Sequence, residues 1–536
     1  MPSIVLKVVL LLDATAETAE PVPSETAALA GITCIDTSAN IAIVLTTLRF
    51  NMAQNYHCIE LPISNLKRVS PMEVTSLMDT SLVKIWRRIL IAMLVPVLVF
   101  PSVGPISANQ SNSVLPTWAI KSTIYEVNVR QYSTAGDFNS VTNSLPRLKR
   151  LGVGILWLMP IHPISKVKRK GTLGSPYSVA DYKGINPEFG NEEDFKELVD
   201  QAHELGMKVI IDWVANHSGW DNPWIANESW YHRDASGKII APNNDWTDVA
   251  WLDYENPNMS AAMIDAMKYW VTEFDIDGFR ADVAGLVPLS FWENASAELQ
   301  KIKPLFMLAE EQGTMGMLDK AFVANYNWEL KNRINALATG LTIPTSLMKF
   351  VNSQASKYPT GSIPMNFITN HDENSWSGSE YKRLGAAVPA MAALTFTIPG
   401  IPLIYSGQEV GNTRELAFFE KDLIPNIEVE NSTTAFYRKL VALKTKNAAL
   451  WNSAPMVAPV LTQTNEDIIS FYRTAGKNKV LVIINASKKP QKTSIALKKL
   501  AGTYYQFSSN KPKKLSSQLT LTLKPWRFEI YSSAGN

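Results

Sequence analysis

Between about Pro116 and Tyr405 the chain alternates short apolar runs with amphipathic stretches. Eight runs are rich in β-branched and aromatic residues: IYEVNV from Ile124, GILWLM from Gly154, KVIIDWV from Lys208, GFRAD from Gly278, LFMLAE from Leu305, AFVANY from Ala321, IPMNFIT from Ile363 and IPLIYSG from Ile401. Between them, segments such as NEEDFKELVDQAHELGMK bring Phe195, Leu198, Val199, Ala202 and Leu205 to one face at helical spacing. Strands alternating with helices predict βα units around a parallel sheet. Eight such units predict an α/β fold of the (β/α)8 TIM-barrel class over 116–450. An open doubly wound sheet is the alternative, but no Gly-rich phosphate loop follows the first run.

Two departures from the alternation mark further parts. The interval 218–260, between the third and fourth runs, is long and polar, as expected of a functional excursion from a barrel rather than slack chain. After Trp451 the pattern turns to period two in DIISFYR, KVLVIINAS, QKTSIAL and QLTLTLKPWRFEIYS, predicting a small all-β sandwich over 451–536.

The strongest apolar run of all, Ile89–Phe100, follows Lys84, Arg87 and Arg88 and leads into small residues. That is the pattern of a cleaved export signal over 78–108, ending after Gly104 or Ala108, and the run is short for a membrane span. Met78 is then the expected start, residues 1–77 an upstream extension, and the mature protein secreted or periplasmic. Both cysteines, Cys34 and Cys58, lie upstream, which argues against a disulfide framework or a Cys-based metal site. With 51 basic and 49 acidic residues, the chain carries no nucleic-acid or membrane-surface footprint.

Four acids, Asp212, Asp282, Glu310 and Asp372, close the third, fourth, fifth and seventh runs. In a barrel they converge on the rim where active sites form. Glycoside hydrolysis needs such a set: one ionised carboxylate at the anomeric carbon and one protonated carboxyl for the leaving oxygen. Arg280, two residues before Asp282, shares its face and should favour the ionised form there. Glu310 follows the apolar LFMLA, a setting that favours the protonated form of a general acid.

From about Trp118 onward these segments resemble the α-amylase family, glycoside hydrolase family 13. DWVANH from Asp212, GFRAD ending at Asp282, MLAE ending at Glu310 and TNHDENSW from Thr369 resemble its four motifs, in order. The resemblance implies Asp282 as nucleophile, Glu310 (not Glu311) as acid/base and Asp372 as third carboxylate. It implies that Tyr177, His217, Arg280 and His371 bind substrate, with Asp181 near Tyr177. It further implies retaining cleavage of α-1,4-glucosidic bonds in starch, glycogen or maltooligosaccharides, the two carboxyls standing about 5–5.5 Å apart.

The sequence departs from the family in two places. VAGLVPLSFW follows Asp282 where many members carry a Lys-His pair, and Trp251 stands where a calcium-ligating Asp is common. Asn216 matches another calcium ligand, yet one Asn cannot supply the roughly six to eight oxygens that calcium takes. No other cofactor is implied. An α-glucosidase or neopullulanase-like hydrolase or transglycosylase is the near alternative, and a non-catalytic glucan-binding protein the distant one.

Overall fold

The computed structural model describes residues 114–452 and 465–535, with the backbone of the two-residue strands Ala28–Leu29, Leu48–Arg49 and Val460–Leu461. The expected export signal, Met78 and both cysteines lie outside the described residues. Among those described, no helix is long and apolar enough to cross a membrane.

Eight parallel strands close into a barrel: β1 Ile124–Val127, β2 Ile155–Leu158, β3 Lys208–Trp213, β4 Gly278–Ala281, β5 Phe306–Ala309, β6 Ala324–Tyr326, β7 Ile363–Asn366 and β8 Ile401–Tyr405. Each of the eight predicted runs contains one of them. Every strand pairs with its predecessor in the chain, and Leu403 opposite Ile124 closes the ring.

The strands are buried on both faces, which is why they read as continuous apolar runs rather than alternations. Their parity is what builds the site. Ile124, Ile155, Trp157, Ile210, Phe306, Leu308 and Tyr326 form one apolar cluster inside the ring, whereas Tyr125, Leu156, Val209, Phe279 and Met307 join the cluster beneath the helices. Two residues past an inward position is again inward. Glu126, Asp212, Arg280, Asp282 and Glu310 therefore project from the same face as Ile124, Ile210, Gly278 and Leu308.

The outer helices are started by local chemistry. Asp137 accepts from Ser140 N–H at the head of Phe138–Leu151, and Asn191 and Asn431 form reciprocal capping boxes on Glu192–Glu204 and Ser432–Lys446. On Glu192–Glu204 the predicted Phe195, Leu198, Val199 and Ala202 are buried, and Leu205 packs half-buried at its end.

The long polar interval after β3 folds over the rim as a short hairpin, His217–Gly219 against Val249–Trp251, enclosing two single-turn helices. Tyr182 pins its base by donating to the carbonyls of Val214 and His217. At the C-terminus, a six-stranded antiparallel sheet and a separate two-stranded one (Gln491–Ala496 with Gln518–Leu523) follow the last barrel helix.

Candidate active site

Asp212, Arg280, Asp282, Glu310, His371 and Asp372, with Tyr177 and His217, meet at the C-terminal mouth of the barrel. Asp282, Glu310, Asp372, Tyr177, His217 and His371 line a cleft of about 510 Å³. Arg280 lies beneath it, fully buried. Its Nη1 donates to Asp212 Oδ1 at 2.7 Å and Asp282 Oδ1 at 3.0 Å, and its Nη2 lies 2.9 Å from Glu310 Oε2. Nε donates to the Tyr326 hydroxyl at 3.1 Å, and the rings of Trp157, Tyr177 and Tyr326 surround the guanidinium. A planar fork serves several acceptors in fixed directions, which a lysine could not do.

Glu310 Oε2 also accepts from Val283 N–H at 2.8 Å. Val283 reaches it by adopting φ 37°, a left-handed conformation costly for a β-branched residue and typical of strain held at functional sites. Among the described residues, no protein group hydrogen-bonds Asp282 Oδ2 or Glu310 Oε1. Each carboxyl thus keeps one oxygen free.

A second chain of contacts runs through His371. Its Nδ1 faces Glu126 Oε1 on β1, and its Nε2 lies 2.8 Å from the Tyr177 hydroxyl and 3.2 Å from Asp372 Oδ2. Tyr177 stacks on the imidazole and donates to Asp212 Oδ2 at 3.0 Å, an oxygen that also accepts from Trp157 Nε1.

Five carboxyls here face two cations, Arg280 and His371. Burial pushes Glu126, Asp212 and Glu310 above their ordinary range, and Asp282 well above it, with Arg280 or His371 opposing. Arg280 favours the ionised form of Asp282, as its spacing implies, but it does so against burial and neighbouring charge. The guanidinium is divided among three carboxylates, so burial and the charges of Glu310, Asp212 and Asp372 outweigh it at Asp282. Asp212, Asp282 and Glu310, joined through Arg280, titrate as interacting groups rather than independently. For His371, burial disfavours the charge, but Asp372 and Glu126 override it and raise its pKa to about 9. His217 has no such partner, and burial lowers it to about 4.

Glu311 turns away and caps the turn at Gly313 and Thr314, and Asp181 is exposed and caps Lys183 N–H. Asn216 is buried beside His217 Nδ1, and Trp251 stacks on His232 with ring centroids 3.8 Å apart. Among the described residues no three His, Cys, Asp or Glu side chains cluster as metal ligands. The side chain of Trp251 brings no oxygen to the position where the family commonly has a calcium-ligating Asp.

Sequence reasoning missed Glu126, Trp157 and Tyr326, which support the charged centre, and Lys170, Trp246, Asp248, Trp376, Phe418 and Phe419, which line the cleft. A charged residue inside the apolar IYEV run was a signal for Glu126. The cleft-lining set sits in loops without periodicity.

Comparison with known proteins fits this geometry. Residues 109–453 match the family described as "Alpha amylase, catalytic domain". A maltogenic alpha-amylase of Bacillus acidopullulyticus is 26% identical over 74% of this chain and 70% of its own length. Crystal structures of an alpha-amylase from Lactobacillus plantarum (33% identity, TM-score 0.69) and of a noncanonic maltogenic alpha-amylase from Thermotoga neapolitana (31%, 0.70) superpose on 78% and 77% of this chain. They are covered over 100% and 98% of their own lengths. By its barrel, the carboxylates at its mouth and the match over its catalytic domain, the chain belongs to the α-amylase family of glycoside hydrolases.

Proposed function

We propose that this hydrolase cleaves α-1,4-glucosidic bonds of starch, glycogen or maltooligosaccharides with retention of configuration. The observation that carries the reading is the single guanidinium of Arg280 joining Asp282 and Glu310, each with one oxygen open to the cleft. Asp282 Oδ2 attacks the anomeric carbon as the glycosidic C–O bond breaks, and the leaving oxygen takes a proton from Glu310. Glu310, now ionised, removes a proton from water, whose oxygen displaces Asp282 and regenerates both groups. Arg280 balances the negative charge as it moves from Asp282 to Glu310 and back. Asp372, Tyr177, His217 and His371 hold the hydroxyls of the sugar being cleaved. Names such as maltogenic amylase and cyclomaltodextrinase among the relatives favour a second reading, in which short or cyclic maltodextrins are preferred to long starch chains.

The test is product analysis on soluble starch, maltooligosaccharides, pullulan and cyclomaltodextrins, with the anomer first released identified by proton NMR. Retained α-configuration is expected, and Asp282→Asn should lower kcat by at least about a thousandfold. An inverted product overturns the nucleophile, and no turnover on any of the four overturns the substrate class.

A further inference from the structure

Three rings continue the wall that Tyr177 begins. Phe418 lies nearly parallel to Tyr177 (centroids 6.1 Å apart, 14° between planes), and Trp376 follows at 5.2 Å and 38°. Phe419 stands edge-on to both Phe418 and Trp376. All four line the same cleft as Asp282 and Glu310. Yet Trp376 is 60% exposed, although a large apolar ring left in water contributes little to the core.

The exposed ring is held rather than loose. Trp376 sits in the π-helical turn Glu373–Ser377 that follows Asp372, a widening of the helix common at functional sites. Buried Glu373 anchors that turn to Lys331 at 2.7 Å and Arg383 at 3.4 Å. Asn374 ties it to the loop carrying the two phenylalanines, donating to Arg414 O and accepting from Leu416 N–H. That loop is fixed in turn by Gln131 Nε2 donating to Ala417 O and by Leu173 N–H donating to Phe419 O. Such a platform loses little conformational entropy when a ligand settles on it.

A glucosyl ring presents one face of C–H groups, which packs on the π face of an aromatic ring while its hydroxyls stay at the edge in water. We propose that Trp376 and Phe418 form a sugar-binding step for a glucosyl unit beyond the one held at Asp282, so that the cleft selects its substrates by chain length. This rests on the α-glucan reading above and adds where the outer part of the chain lies. The continuity of the rings with Tyr177 inside one cleft favours a sugar over a protein partner, whose docking would not follow a groove leading to the carboxylates.

The experiment compares Trp376→Ala and Trp376→Phe with the unmutated enzyme on maltose, maltotriose and maltopentaose, with Leu341→Ala, exposed elsewhere, as control. Trp376→Ala should raise KM for maltopentaose about tenfold, change kcat less, and lose more on maltopentaose than on maltose, with Trp376→Phe recovering part. In an Asp282→Asn background, which blocks turnover, maltopentaose should quench tryptophan emission, and Trp376→Ala should diminish that quench. A KM change equal across chain lengths, or an unaltered quench, overturns the sugar-binding step. Failure of the unmutated enzyme to cleave these sugars and soluble starch, pullulan and cyclomaltodextrins alike overturns the α-glucan reading instead.

Discussion

His371 owes its charge to its chain neighbour Asp372 and to Glu126, far away in the chain. Glu126 comes from the first strand, and together with Asp372 it keeps the buried imidazole protonated to about pH 9. Because that value lies above the ordinary histidine value of about 6.5, the stabilisation from the pair is complete below about pH 6.5 and is lost as pH rises through about 9. Glu126→Gln removes one of the two charges responsible. The alkaline limb of kcat/KM against pH should move toward neutrality, and thermal melts should lose their extra stability between pH 6.5 and 9. A limb that stays in place would mean that Asp372 alone holds the proton. The residues that carry charge at this site were unevenly legible. Asp212, Asp282 and Glu310 stand out because each ends an apolar run. Glu126 and Tyr326 gain their roles only when ring closure brings β1 and β6 against the histidine and the arginine. The charge balance at Asp282 was legible only in part for a related reason: the local spacing shows that Arg280 is near, but not that it is shared among three acids.

At the scale of elements, barrel strands and helices were read from period and caps. Both signals are local, so they survive without tertiary information. Asp137 is a case where the cap can be isolated from function, because it holds Ser140 N–H at a helix start on the outer ring. Asp137→Ala should cost about 1 kcal/mol in urea or thermal unfolding, with kcat and KM unchanged. A loss well below that would mean that packing of Phe138, Val141 and Leu145 holds this turn without the cap. The C-terminal region was read less completely. Ile468–Ala475, Asn478–Asn485 and Gln491–Ala496 were visible as alternating runs, and the last predicted run divides at Pro525–Trp526 into Gln518–Leu523 and Phe528–Ser532. The strands Gly502–Gln506 and Pro512–Leu515 were missed. They are short and mostly exposed, so pairing of Gly502–Gln506 with Phe528–Ser532, and of Pro512–Leu515 with Gly502–Gln506, rather than their own pattern makes them strands. The aromatic step of Trp376 and Phe418 belongs to the same class: loop residues acquire meaning only from the element they are pinned against.

Over the whole of Ser107–Asn536, which forms one compact unit, the barrel and the C-terminal sheet share a core. Ile469, Phe471, Val482, Phe507 and Ile530 belong to the same apolar cluster as the barrel helices. Phe436 of the last barrel helix packs on Phe507 and Phe528, and buried Asn447 donates to Lys479 O and Ser532 Oγ. The expected sequence boundary at 451 is therefore not a seam in the packing. Calorimetry should record a single transition for both parts, whereas two well-separated transitions would show them to be independent. The order of the barrel strands has a last consequence. The charged centre takes Glu126 from the first strand, Asp212, Asp282 and Glu310 from the middle, and His371 from beyond the seventh, while the first strand, already paired with the second, gains its other neighbour only once the eighth lies beside it. A chain that ends before the eighth strand lacks the closed frame that brings these groups together. Hydrolysis should thus switch on with closure of the ring, so that a molecule still short of its eighth strand is expected to be inert rather than weakly or indiscriminately active.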